Sequence, residues 1–154
     1  MLIAAHSQKI DRLMQTRARL DPAADFELWF WAGMNAGTHA FNAALHHAGL
    51  TREDRAFAMQ PGVYLVARPD GTWVPELGEP GDVLHVGRPV IEAVLPPDIQ
   101  RIADAMQRME HYRDPCIREG LVPTPAIADT CAQALDECLG LLQHRLAGDS
   151  DACA

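Results

Sequence analysis

Residues 28–51 read LWFWAGMNAGTHAFNAALHHAGLT, a stretch that contains no Asp, Glu, Lys or Arg. Ordinary composition would place about six charges in a segment of this length. Asp21 followed by Pro22 is a preferred helix start, and Gly49 is a typical helix stop, so we predict one helix over residues 22–48. A long helix without charges has no obvious face for water. We therefore expect it at the centre of the molecule or of an interface.

This helix has an apolar side and a side that carries amides and imidazoles. The apolar side, which we expect in the core, contains Phe26, Phe30, Gly33, Gly37, Ala40, Phe41, Ala44 and Ala48. The other side carries the first candidates for ligand binding, which are Asn35, His39, Asn42 and His46. Three interpretations of the polar side stay open: structural hydrogen bonding under a cover, exposure to water, or a ligand site.

Three other segments have the apolar spacing of a helix face. They are residues 4–20, residues 97–113, where Pro115 ends the pattern, and residues 124–148, where Thr124 and Pro125 repeat the cap-and-proline start. We also expect one or two helical turns over residues 51–59.

The segment between the second and third long helices has a different composition. Residues 61–97 contain seven prolines and five glycines, a density that excludes a long helix. Asp70-Gly71 between β-prone residues predicts a small hairpin with strands over residues 63–67 and 72–74. The apolar residues of segment 82–93 suit either a broken helix or an extended segment, and we favour a short helical turn.

The predicted fold is therefore mainly α: a four-helix bundle with a long Pro/Gly-rich crossover that carries a small β-hairpin. Residues 1–148 form a single helical-bundle domain, and residues 149–154 form a disordered tail. The net charge of −8 and the lack of a Lys/Arg cluster argue against nucleic-acid binding. The first residues lack the basic region of a signal peptide, and Asn and His in the uncharged helix argue against a membrane span, so we expect a cytoplasmic protein.

Metal and redox chemistry find little support in residue spacing. The four cysteines include no CxxC pair and are interpreted as reduced thiols, with Cys131 and Cys138 in the core. His39 and His46 lie about 10.5 Å apart along a helix, too far to bind one ion together. We predict no cofactor and assign no metal site. A metal would need ligands from elsewhere, such as Glu110, His111 or His85.

Two further clusters of polar residues are candidates for ligand binding. Glu110, His111 and Arg113 lie where the third helix ends, and His85 and Arg88 lie in the crossover. Each has an ordinary structural explanation, because a helix C-terminus attracts basic residues and loops commonly carry polar ones.

The first 50 or so residues, two helices of which the second is rich in Ala, His and Asn, resemble the small helical HEPN proteins. The active ribonucleases of that family carry an Arg followed by a His after four to six residues. This chain has no such spacing. The resemblance therefore transfers neither an activity nor a site residue.

Three functions remain as hypotheses. The favoured one is a non-catalytic homodimer or partner-binding module that packs through the uncharged helix. The second is a small-molecule or metal-dependent enzyme that uses the His/Asn side of that helix. The third is a HEPN-like component of an RNA-associated or toxin–antitoxin system, which the acidic composition disfavours.

Overall fold

The computed structural model describes residues 1–53, 58–60, 63–77, 81–83 and 93–148. This part of the chain is mainly helical, which confirms the predicted mainly α character. Its long helices are α1 (Ile3–Arg17), α2 (Phe26–His47), α3 (Pro97–Glu110) and α4 (Pro125–Gly148). None of the described helices combines the length and the apolar composition needed to cross a lipid bilayer. The predicted disordered tail lies outside the described residues.

Helix α2, whose only charged residue is Glu27 in the first turn, occupies the centre of the structure. It contacts α1, α3 and α4, and Phe30, Phe41 and Leu45 are completely buried. The predicted apolar side therefore does face the core. The other helices of the same chain cover most of α2, while Leu28 and Asn35 remain exposed.

Of the predicted signals at the two ends of α2, the stop acts as expected and the start does not. The carboxylate of Asp21 accepts hydrogen bonds from the backbone N–H groups of Ala23 and Ala24, at 2.7 and 2.9 Å, and so closes a separate turn. The helix consequently begins at Phe26, four residues later than predicted. At the other end, Gly49 has a φ of +67°, and the predicted stop is confirmed.

The chain after α3 differs from the prediction. We expected helix to residue 113 and a break at Pro115, but α3 ends at Glu110 and a π-helical turn follows at Asp114–Arg118. Pro115 is tolerated because it lies at the start of that turn, where a missing N–H removes no internal hydrogen bond. Thr124 caps α4 as predicted, since its hydroxyl oxygen accepts a hydrogen bond from the Ile127 N–H at 3.3 Å.

Between α2 and α3, the described residues include the strands β1 (Ala58–Gln60), β2 (Val63–Ala67) and β3 (Trp73–Leu77). They pair antiparallel in the order β1-β2-β3, with Ala67 opposite Trp73. The helical turns expected over residues 51–59 are therefore wrong in their last part, because residues 58–60 extend to pair with β2. Nearly all of the helical turn expected at residues 82–93 lies outside the described residues.

Candidate functional site

Two histidines and an aspartate meet in the interior between three separate segments. His6 comes from the first turns of α1, His46 from the last turn of α2, and Asp82 from the short segment of residues 81–83. The two imidazoles are completely buried, and the Asp82 side chain is 8% exposed. We call these three residues the His/Asp cluster. Burying so many ionisable groups is costly unless they satisfy one another.

One carboxylate oxygen organises the cluster. Asp82 Oδ1 lies 2.8 Å from His46 Nε2 and 3.2 Å from His6 Nε2, and it also contacts the amino nitrogen of Met1. Each member of the cluster offers one atom of a type that binds metal ions, and these three atoms lie within 4.8 Å of one another. Two imidazole nitrogens and a carboxylate oxygen therefore converge on one point from three parts of the chain.

The second nitrogen of each cluster imidazole also has a partner. His6 Nδ1 lies 2.9 Å from His39 Nδ1, and His46 Nδ1 lies 2.7 Å from the Thr51 hydroxyl oxygen. Both nitrogens of both rings are thus hydrogen-bonded, which fixes the ring orientations. The Nε2 atoms point to Asp82, and the Nδ1 atoms point away from it.

Asn42 anchors the segment that carries Asp82. Its side-chain carbonyl accepts a hydrogen bond from the Val83 N–H at 2.6 Å, and its amide donates to the Val83 carbonyl at 2.9 Å. The amide also donates to the Thr38 carbonyl of its own helix at 3.0 Å. These two hydrogen bonds with Val83 join a buried turn of α2 to the residue that follows Asp82. They therefore set the position of the Asp82 carboxylate.

The surroundings control the charge of two groups. Burial alone would raise the pKa of Asp82, but hydrogen bonds from His46, His6 and the amino terminus outweigh it and hold that pKa well below its usual range. His39 behaves in the opposite way, because burial and then the neighbouring His6 lower its pKa to about 4. Near neutral pH, Asp82 is therefore a carboxylate and His39 is an uncharged imidazole.

The structure brings three of the four predicted polar residues of α2 to this site. His46 belongs to the cluster, His39 contacts it through His6, and Asn42 holds the Asp82 segment. Asn35 does not take part, because it is exposed and its amide donates to the Trp31 carbonyl of its own helix turn at 2.8 Å. The predicted polar side is thus divided into a covered half and an exposed half.

The other predicted candidates lie apart from the cluster or outside the described residues. Glu110 pairs with Arg113 at 2.8 Å in the turn after α3. His111 is exposed there and packs edge-on against the Tyr112 ring. Glu110, His111 and Arg113 line an open groove, but none belongs to the His/Asp cluster. His85 and Arg88 lie outside the described residues.

Sequence reasoning missed His6 and Asp82. The signal for His6 was available, because it falls between Ile3 and Ile10 on the apolar face of α1, where a histidine needs a buried partner. Asp82 gave no such signal, since it lies in a loop that is far from both histidines along the chain. The interpretation of the cysteines is confirmed for Cys131 and Cys138, which are completely buried.

No model of a known protein family matches this chain, and neither the curated proteins nor the solved structures include a match. The resemblance to HEPN proteins gains no support from these comparisons.

Proposed function

We propose that this protein binds one divalent transition-metal ion through His6, His46 and Asp82. The observation that carries the proposal is the convergence of two imidazole nitrogens and a carboxylate oxygen within 4.8 Å. The helix spacing predicts that His39 and His46 are too far apart to bind one ion together. The site instead takes its second histidine and its acidic ligand from elsewhere in the chain.

The dimensions of the cluster fit a metal ion. Ligand atoms at about 2.0–2.1 Å from a tetrahedral ion lie roughly 3.4 Å from one another. The two Nε2 atoms lie 2.8 and 3.2 Å from Asp82 Oδ1, so an ion would need these atoms to move slightly apart and would replace the Met1 amino nitrogen that contacts the same oxygen. The ionised state of Asp82 also favours binding, because a carboxylate binds a cation without first losing a proton.

The donor set indicates the class of ion. Imidazole nitrogens suit Zn²⁺, Fe²⁺, Co²⁺ and Ni²⁺, whereas Mg²⁺ and Ca²⁺ prefer oxygen ligands throughout. Two nitrogens and one oxygen therefore favour a first-row transition metal, and Zn²⁺ is the most suitable probe.

A metal in this position would act mainly as a structural connection. It would join α1, the end of α2 and the segment of residues 81–83, which lie far apart in sequence. The burial of both imidazoles favours this role over catalysis at an open site. The proposal thus keeps the non-catalytic character that the sequence favoured, within what we propose is a four-helix bundle centred on α2.

Zinc titration of untagged protein tests the proposal. After chelator treatment and its removal, native mass spectrometry should show one Zn²⁺ per chain, and a 100-fold excess over Kd should raise Tm by about 5–10 °C. Asp82→Asn keeps a hydrogen-bond acceptor for the histidines but removes the charge, and it should weaken binding severely. His111→Ala is the matched control, because it removes an exposed histidine outside the cluster.

Two outcomes would contradict the proposal. One is a wild-type protein that takes up no more Zn²⁺ than Asp82→Asn does. The other is an equal loss of zinc in His111→Ala, which would place the ion at exposed histidines. A rise in Tm with Mg²⁺ as large as that with Zn²⁺ would refute the assigned ion class.

Homodimer formation remains a separate proposal. It rests on the uncharged stretch of α2, where Leu28 and Asn35 remain exposed beside the other helices. The same native mass spectra report the subunit number, so a multiple of 16.9 kDa would support the dimer independently of zinc.

A further inference from the structure

We infer that His39 is a positioning residue that sets the proton arrangement of His6 and so allows His6 to bind the metal. The inference rests on the proposed metal site. Its geometric basis is the 2.9 Å contact between His39 Nδ1 and His6 Nδ1. This contact lies on the side of the His6 ring that faces away from Asp82.

The position of the proton on each imidazole decides which nitrogen can bind the ion. When His6 binds an ion through Nε2, that nitrogen has no proton, so the ring carries its proton on Nδ1. The Nδ1–H must then donate to His39 Nδ1, which must be unprotonated to accept it. A neutral imidazole carries one proton, so that of His39 must then lie on Nε2. Metal binding therefore requires one tautomer of each ring.

Without the ion, the arrangement can be reversed. His6 Nε2 then donates to the Asp82 carboxylate, and a His39 Nδ1–H can supply the hydrogen bond to His6 Nδ1. An imidazole can serve in both states because each of its nitrogens either donates or accepts, depending on the tautomer. His39 is half-buried, and its contact with His6 uses Nδ1, so its Nε2 is available to carry the proton.

Thr51 performs the corresponding task for His46 in a simpler way. Its hydroxyl lies 2.7 Å from His46 Nδ1 and either donates to that atom or accepts from it by rotation about the C–O bond. Both ligand histidines thus have an outer partner that works with either proton arrangement. Such outer partners orient metal-bound histidines and typically change metal affinity by about 10- to 100-fold.

His39 is not itself a ligand in this arrangement. Its Nδ1 contacts the nitrogen of His6 that faces away from the cluster, and the three converging ligands do not include it. A residue that acts only through His6 should change the affinity for zinc without changing the number of ions bound.

Two substitutions at His39 separate hydrogen bonding from packing. Asparagine places a carbonyl oxygen near the position of the histidine Nδ1, whereas leucine has a similar size and no acceptor. We expect His39→Leu to weaken Zn²⁺ binding by about 10- to 100-fold, and His39→Asn to remain within a few-fold of wild type. Each variant should still bind one ion. Asn35→Leu is the control for an exposed substitution on the same helix.

Competition with a chromophoric chelator measures these affinities, and far-ultraviolet circular dichroism checks that each variant folds. Wild-type affinity in His39→Leu, or an equal loss in His39→Asn, would overturn the role of His39 while leaving the metal site intact. Absence of zinc binding by the wild-type protein would overturn both proposals. The two failures are therefore distinguishable.

Nuclear magnetic resonance tests the same inference without any variant. In the zinc-loaded wild-type protein, long-range ¹H–¹⁵N correlations should show a proton on Nδ1 of His6 and on Nε2 of His39. A proton on His39 Nδ1 in that state would refute the inference, because His6 would then have no acceptor.

Discussion

Replacing Gly37 by alanine tests the close approach of α2 and α3. A methyl group at Gly37 would lie 3.1 Å from Cγ of Met106 and closer still to its Sδ and Cε atoms. Ordinary contacts of such atoms are about 3.5–4.0 Å. Met106 is completely buried, so its flexible side chain must repack among its neighbours to make room.

The expected change in the free energy of unfolding of Gly37→Ala follows from two opposing effects. Overpacking a filled core costs about 1–3 kcal/mol, while alanine stabilises a helix by about 1 kcal/mol relative to glycine. We expect the free energy of unfolding of Gly37→Ala to fall by about 0–2 kcal/mol. Gly140→Ala is the matched control, because Gly140 is also helical but has no atom within 4 Å of the added methyl. This control should gain about 1 kcal/mol.

Urea denaturation followed by circular dichroism measures both variants. The difference between them should be about 1–3 kcal/mol, or roughly 2–12 °C in Tm. Adding Met106→Ala to Gly37→Ala removes the clash, so the double-mutant cycle should show a coupling energy of about 1–3 kcal/mol. If Gly37→Ala stabilises the protein as much as Gly140→Ala does, the two helices do not approach each other at Gly37.

Three further predictions concern hydrogen bonding, charge and thiol reactivity. Asn42→Ala should lower the free energy of unfolding by about 2–3 kcal/mol in urea titrations, since it leaves the backbone of Val83 without partners; an unchanged midpoint would contradict the anchoring role. The pKa of His39 is lowered from 6.5 to about 4, so the unfolded chain binds its proton more tightly, and stability present above pH 6.5 should be lost as pH falls through about 4. With chelator present, the free energy of unfolding lost on acidification should be on the order of 1–2 kcal/mol greater in wild type than in His39→Asn. Equal pH profiles of stability for the two proteins would refute this role of His39. Burial raises the pKa of Cys131 and Cys138 to about 12, so peptide mass mapping should find iodoacetamide labels on these cysteines only after unfolding in guanidinium, and labelling of the native protein would contradict their burial.

The helices were predictable because their signals are local. Apolar spacing, the Gly49 stop and the Thr124 cap each act within a few residues, and the structure confirms them. The errors arose where two local signals competed. Asp21 closes its own turn instead of starting α2, and the backbone forms a π-helical turn around Pro115.

Only part of the candidate site was predictable from the sequence. The uncharged composition of α2 indicated a covered helix, and His39, Asn42 and His46 were identified on its polar side. Which half of that side is covered depends on what packs against it, and periodicity within one helix contains no information about its neighbours. Asn35, on the same side, remains exposed for this reason.

The helical character of the chain thus follows from the sequence because helix signals are short-range, and the uncharged stretch of residues 28–51 predicted that this helix lies at the centre of the molecule or of an interface. The meeting of His6 and His46 with Asp82 was decided by the tertiary structure alone. Asp82 lies 76 residues from His6 and 36 residues from His46 along the chain. No local rule relates residues at such separations, and only the packing of α1 on α2, together with the Asn42–Val83 hydrogen bonds, brings their side chains to one point.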